Sequence, residues 1–172
     1  HLPVIIGGYQ FGVKGGALFG FFFGLMSLIK CFITPDATAA IILGTNTGFG
    51  VYNLFLIVAI IFIPRILTGV FSALLYQAIA KHERRGIFAM GAAAFVGSMT
   101  NTVFYLGGLY LFAFDASAQL LGVAGGELLK ALLGIVALNG VLEAVAAVII
   151  CVPVGQALQF YNKKRNNCIK GE

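Results

Sequence analysis

The sequence predicts an all-α integral membrane protein, and three observations carry that prediction. Its 172 residues are 60% hydrophobic and 10% charged, and the mean hydropathy is +0.99, well outside the range of soluble globular domains. The apolar residues form long unbroken runs, not the alternating segments of about ten residues that a membrane β-barrel requires, so helices are the spanning structure left. The net charge of +5 is gathered in short flanks beside those runs. It reports topology, and it lacks the long basic stripe of a nucleic-acid binder.

Taken in order, the chain reads as one transmembrane helical domain over residues 1–172. Residues 1–12, HLPVIIGGYQFG, form a short or partial span, with Pro3 in the first turn where proline is tolerated. Residues 15–32 are long enough to cross. Gly12, Gly16, Gly20 and Gly24 recur every four residues, which aligns them on one helical face and predicts close packing against a second backbone. Residues 33–50 hold Pro35, Asp36 and GTNTGFG, a loop composition, and a loop of this length often serves as a lid. Residues 51–63 are apolar but too few to span alone; they lie at the interface or begin a longer span interrupted at Pro64. Further spans are expected over 64–80, 88–113 and 137–161, with a charged turn from Lys81 to Gly86. A glycine-containing loop is expected over 115–126, and a mixed stretch with Glu127 and Lys130 follows it.

The positive-inside rule places Lys14, the Lys81–Arg85 turn and the Lys163–Arg165 tail in the cytoplasm, so the C-terminus is cytoplasmic and His1 lies outside. A chain that starts outside implies a preceding helix, which makes six in the native protein.

In that orientation several costly residues fall at similar depth. Arg65 follows Pro64. Thr100, Asn101 and Thr102 form the polar centre of the 88–113 span, with Gly97 and Tyr105 one turn either side of Asn101. Asn139 and Glu143 are again four apart, and Lys30 closes the glycine-laddered helix. Each such group costs about 2–3.5 kcal/mol in an apolar setting, so they are expected to converge on an interior site and not to face lipid. Arg65 and Lys30 suit a carboxylate or phosphate; Asn101, Asn139 and Thr100 offer amide and hydroxyl partners, and Tyr105 a ring with a hydroxyl. A small anionic metabolite fits that set. The competing reading is a polar network that only locks helices together.

The motifs of other function classes are missing. There is no GxxxxGK[ST] for ATP, no HExxH and no GxSxG, and the sequence suggests neither an enzyme nor a cofactor. Cys31, Cys151 and Cys168 are widely spaced, with no CxxC or Cys/His grouping for zinc, and read as apolar fillers and one tail thiol.

The run HLPVIIGGYQFGVKGGALFGFFFGLMSLI, then PRILTGVFSALLY, TNTVFYLGGLYLF and NGVLEAVAAVII, resembles the substrate-binding S component of energy-coupling factor (ECF) vitamin transporters. The resemblance covers most of the chain in order. It implies a six-helix bundle in the bacterial plasma membrane whose first helix has no counterpart here. It also implies capture of a vitamin from outside under lid loops, and docking on a transmembrane coupling subunit driven by two ATPase subunits. Pro64-Arg65, Thr100–Thr102 and the N-x-x-x-E of Asn139–Glu143 look most like the pantothenate-specific members. Riboflavin, folate and hydroxymethylpyrimidine are the alternative vitamins, and a non-transporting helical scaffold is the alternative class.

Overall fold

The computed structural model describes residues 1–34, 39, 42, 43, 50–83 and 86–170, without the side chains of 119, 120, 125 and 165–170. The lid expected over 33–50 therefore lies mostly outside the described residues, as do Arg84 and Arg85, and nothing is described of the Cys168 side chain. Among the described residues there is no strand, and four helical stretches are long and apolar enough to cross a membrane.

Helix α1 (Leu2–Ile33) is broken at Gly12, whose φ of 69° and ψ of −161° no helix can contain. The chain turns back there. The Phe11 and Phe19 rings stack at 6.0 Å, and Gly7 lies directly against the Phe19 ring, although twelve residues of straight helix would separate them by about 18 Å. Arms 2–11 and 13–33 thus form a tight hairpin, and only glycine adopts the positive φ at its tip without strain. Gly12 is the hinge of this hairpin and stands apart from the ladder it was expected to head.

Helix α2 (Val51–Ala80) runs unbroken past Pro64. It accommodates the proline by switching to π-helical bonding over Ile57–Phe62 before resuming as an α-helix at Ile63. The 51–63 segment is therefore the first half of a single long helix. Gly16, Gly20 and Gly24 of α1 lie against this helix at Gly69, Arg65–Ile66 and Phe62 respectively, so the ladder fixes where the Arg65 backbone sits.

Helix α3 (Ile87–Phe112) starts after Gly86, whose φ is 64°. The Phe88 and Ala89 backbone N–H groups donate to the two carboxylate oxygens of Glu83 at 2.9 and 2.8 Å. These bonds satisfy donors that the first helical turn cannot. They also hold the Glu83 carboxyl below its ordinary range. A lowered pKa contributes stability that is fully present above the ordinary carboxylate value and is lost as pH falls through the lowered one. Thermal unfolding should show the wild type losing stability on acidification below about pH 4, whereas Glu83→Gln should be less stable at neutral pH and flatter in acid.

Helix α4 (Phe114–Leu121) occupies most of the stretch expected to be a loop. After a 3-10 turn at Gly125–Glu127, α5 runs from Leu128 through a second π-helical segment, Val136–Gly140, to Lys170. Large apolar side chains such as Met26, Leu111, Leu142 and Ile149 are exposed, as expected where the surrounding solvent is lipid.

Two apolar clusters cap the bundle. One gathers Leu56, Ile60, Ile61, Leu106, Leu109 and Leu128; the other gathers Ile5, Tyr9, Met90, Ala94, Ala147 and Cys151 toward the Lys81 end. Between them on α2 and α3 lies a layer of buried hydroxyls, Thr68, Ser72, Ser98, Thr100 and Thr102.

Candidate functional site

The polar layer is organised around Arg65, and Pro64 accounts for its position. Proline has no N–H, so it cannot donate to Ile60 O, the carbonyl four residues back. The Arg65 side chain folds back instead, and its Nη1 donates to Ile60 O at 2.8 Å. The guanidinium carbon then lies 4.7 Å from the centroid of the Tyr105 ring and 5.9 Å from that of Phe23, a cation–π arrangement that helps keep a cation in apolar surroundings. A guanidinium held by Nη1 presents its opposite edge, Nε and Nη2, as the fork for a ligand. Arg65 Nε is buried and has no hydrogen-bond partner among the described residues.

Asn101 supplies a matching acceptor one turn before Tyr105 on α3. Its Oδ1 is likewise buried without a partner among the described residues. The neighbouring hydroxyls are satisfied locally: Thr68 donates to Pro64 O at 2.8 Å, Ser72 to Gly69 O at 3.2 Å, and Thr102 to Ser98 O at 3.4 Å. Among the described residues, Arg65 Nε and Asn101 Oδ1 are thus the buried side-chain polar atoms left without a partner. Leaving a buried polar group unpaired costs about 1–3 kcal/mol, so such atoms in a folded protein point to a partner that arrives from outside the chain.

The two π-helical segments flank this part of α3. A Cβ on Gly108 would come within 3.1 Å of Ile60 in the first segment, and a Cβ on Gly140 within 3.1 Å of Thr102 from the second. Arg65 follows just after the first segment, and Asn139, which is exposed, lies inside the second. Lengthening the helical turn re-aims side chains, which is why such segments recur at functional sites.

The other expected residues are placed less centrally. Thr100 is buried, while Asn139 and Glu143 are exposed on α5, and Lys30 is exposed in the last turn of α1. Arg65 and Tyr105 are brought together, with Asn101 one turn before Tyr105 on α3; Lys30 is not part of that group. Sequence reasoning also passed over a cavity of about 270 Å³ lined by Tyr52, Asn53, Phe112 and Asp115 at the opposite end of α3 from Lys81. Its signal was Asn53, an amide inside an apolar run, whose Nδ2 donates to Ile42 O at 3.1 Å. Tyr52 OH donates to Phe112 O beside it.

The family described as ECF transporter, substrate-specific component, matches residues 1–155. The chain belongs to this family. As an S component it is a multi-pass membrane protein, in agreement with its membrane-length helices. It is 36% identical over 174 residues to the pantothenic acid transporter PanT of Lactococcus lactis subsp. cremoris, covering 97% of this chain and 78% of that protein. It is 24% identical over 161 residues to the pantothenate transporter PanT of Leuconostoc mesenteroides subsp. mesenteroides, covering 92% of this chain and 72% of that one. No solved structure matches this S component.

Proposed function

We propose that this S component captures pantothenate, and that the Arg65–Asn101–Tyr105 group is where it does so. The observation that carries the proposal is the pair of buried polar atoms without partners among the described residues, Arg65 Nε and Asn101 Oδ1. Pantothenate carries a carboxylate, an amide and two hydroxyls. The Nε/Nη2 edge of Arg65 matches a carboxylate with two parallel charge-assisted bonds. Asn101 Oδ1 accepts from the ligand's amide N–H or a hydroxyl, and its Nδ2 donates to a ligand oxygen. The Tyr105 ring supports the Arg65 guanidinium, Thr100 adjoins Asn101 on α3, and in this reading Asn139 and Glu143, exposed on α5, reach the ligand hydroxyls. Lys30, exposed in the last turn of α1, adds positive charge at that end of the helix. The names of both PanT relatives support the same vitamin.

In this reading the Lys81 turn and the C-terminal tail face the cytoplasm, the vitamin enters from outside, and delivery follows docking on a coupling subunit powered by two ATPases. The test of the ligand is a thermal-shift screen of the purified protein against water-soluble vitamins. A ligand bound only by the folded state raises stability by about 2.7 kcal/mol at a hundred times its Kd. Pantothenate is expected to raise Tm and riboflavin, folate and hydroxymethylpyrimidine to leave it unchanged; a shift with one of those instead would reassign the vitamin.

A further inference from the structure

The first arm of α1 carries one further polar side chain into the bundle. The arm lies along α3: the Tyr9 hydroxyl donates to Met90 O at 2.6 Å, and a Cβ on Gly97 would come within 3.1 Å of Ile5. One turn beyond Ile5, His1 reaches the middle of α3, where its Nε2 lies 3.4 Å from Ser98 Oγ. Ser98 is fully buried, whereas His1 keeps part of its surface. Tyr9 and Ile5 hold the arm without help from His1, so the imidazole is not needed to dock it. A polar ring at mid-membrane depth with surface to spare calls for a polar partner or a cavity, since lipid offers it neither.

Three observations connect this ring with the candidate vitamin site, and the first is alignment. Ser98, Asn101 and Tyr105 follow one another at helical spacing on one face of α3, and the Arg65 guanidinium lies 4.7 Å from the Tyr105 ring centroid at the far end of that stripe. The second is length. Ser98 and Tyr105 stand about 10 Å apart along the helix, and pantothenate stretched from its carboxylate to its primary hydroxyl spans about 9 Å at the reach of an extended backbone. The third is chemistry. With Nε2 turned to the Ser98 hydroxyl, the imidazole has Nδ1 to offer, as a donor in one tautomer and an acceptor in the other. A ligand hydroxyl satisfies either form, because it both donates and accepts.

We propose that His1 and Ser98 form the inner end of the vitamin site, with the His1 ring bonded to the primary hydroxyl of pantothenate and Ser98 holding that ring in place. This placement rests on the pantothenate reading and gives the ligand a direction: carboxylate at Arg65, amide at Asn101, primary hydroxyl at His1. The secondary hydroxyl is left to α5. His1 touches the ligand, and Ser98 is a positioning residue. The compound such a site rejects is one that keeps the carboxylate and the amide but lacks the primary hydroxyl.

The experiment is calorimetric titration of the full chain with pantothenate and with its deoxy analogue, in which a methyl group replaces the primary alcohol carbon and its hydroxyl. The wild type is expected to bind pantothenate about tenfold tighter than the analogue, the worth of one buried hydrogen bond. This arm needs no variant to fold. His1→Phe, which keeps a ring of similar size, should weaken pantothenate about tenfold, leave the analogue unchanged and so abolish the preference. Ser98→Ala should reduce the preference about threefold, because the ring is still present but no longer held. Equal wild-type affinity for the two compounds would overturn the proposal while leaving pantothenate as the vitamin. So would a His1→Phe protein that keeps the wild-type preference, whether or not its Tm falls, since the ring would then be a packing contact only. A wild type that binds neither compound would remove the pantothenate reading and this placement with it.

Discussion

Arg65→Ala is expected to weaken pantothenate binding by roughly 30- to 150-fold, the equivalent of about 2–3 kcal/mol for a lost charge-assisted pair, while leaving the purified protein folded. The reasoning runs from the backbone. Pro64 cannot donate to Ile60 O, Arg65 Nη1 donates there at 2.8 Å, and Tyr105 lies under the guanidinium. The ligand therefore meets a fork that is already oriented, and little side-chain entropy is lost on binding. Arg65→Lys should fare almost as badly despite keeping the charge, because an ammonium cannot occupy both the Ile60 contact and a two-pronged contact to a carboxylate. If the polar group served helix packing alone, both variants would shift Tm and neither would change affinity. Restoring the N–H with Pro64→Ala separates position from charge. It introduces a competitor for Ile60 O, and is expected to weaken pantothenate binding about 5- to 10-fold without lowering Tm, since an internal proline disfavours its helix.

The largest loss of stability from adding one methyl group is expected at the α1–α2 contact. A Cβ at Gly69 would stand 2.0 Å from Gly16 O, and one at Gly16 would stand 2.3 Å from Gly69 O. Both obstacles are backbone, so neither can be relieved by a rotamer change; the helices must separate along their whole ladder. Gly69→Ala and Gly16→Ala should each destabilise by about 3 kcal/mol, the upper end for overpacked cores. Gly107→Ala and Gly134→Ala are the controls, because nothing lies within 4 Å of a Cβ at either site. Relief of glycine's backbone entropy should make them neutral or more stable by about 0.5–1 kcal/mol. Thermal unfolding of the four variants in one detergent checks the contrast. Since Gly20 lies against the Arg65 carbonyl, the two contact variants should also lose ligand affinity.

Much of this arrangement is legible in the residues. Unbroken apolar runs specify membrane helices because backbone groups in lipid must be satisfied within the segment. The four-residue glycine repeat specified a contact surface, and the structure supplies its partner. The fate of Pro64 was not legible: proline usually ends or kinks a helix, but a π-helical segment shifted the bonding so that α2 continues through it. Gly12 looked like the first rung of the ladder because periodicity reports spacing and carries no information about φ. Residues 115–126 read as a loop from their polar start and glycines, yet tertiary packing holds most of them in α4, with Ser117 and Ala118 buried.

The candidate site divides in the same way. Asn101 was recognisable as a polar group at mid-membrane depth, and Arg65 as a cation beside a proline. What spacing could not show is how α5 turns Asn139 and Glu143. Those residues are four apart, but Asn139 lies inside the second π-helical segment, where the α-helical periodicity used to align them does not hold. Nor could spacing reveal that the hydroxyls of Thr68, Ser72 and Thr102 are turned back on their own helices, which leaves Arg65 Nε and Asn101 Oδ1, among the described residues, as buried atoms with bonds still to make.

The central claim is that these two residues hold the vitamin, and calorimetric titration of pantothenate into the wild type, Arg65→Ala and Asn101→Ala tests it most directly. The account predicts saturable one-to-one binding by the wild type and a loss of about tenfold or more in affinity for each variant, with unfolding transitions that remain cooperative. Equal affinity in all three proteins would contradict it.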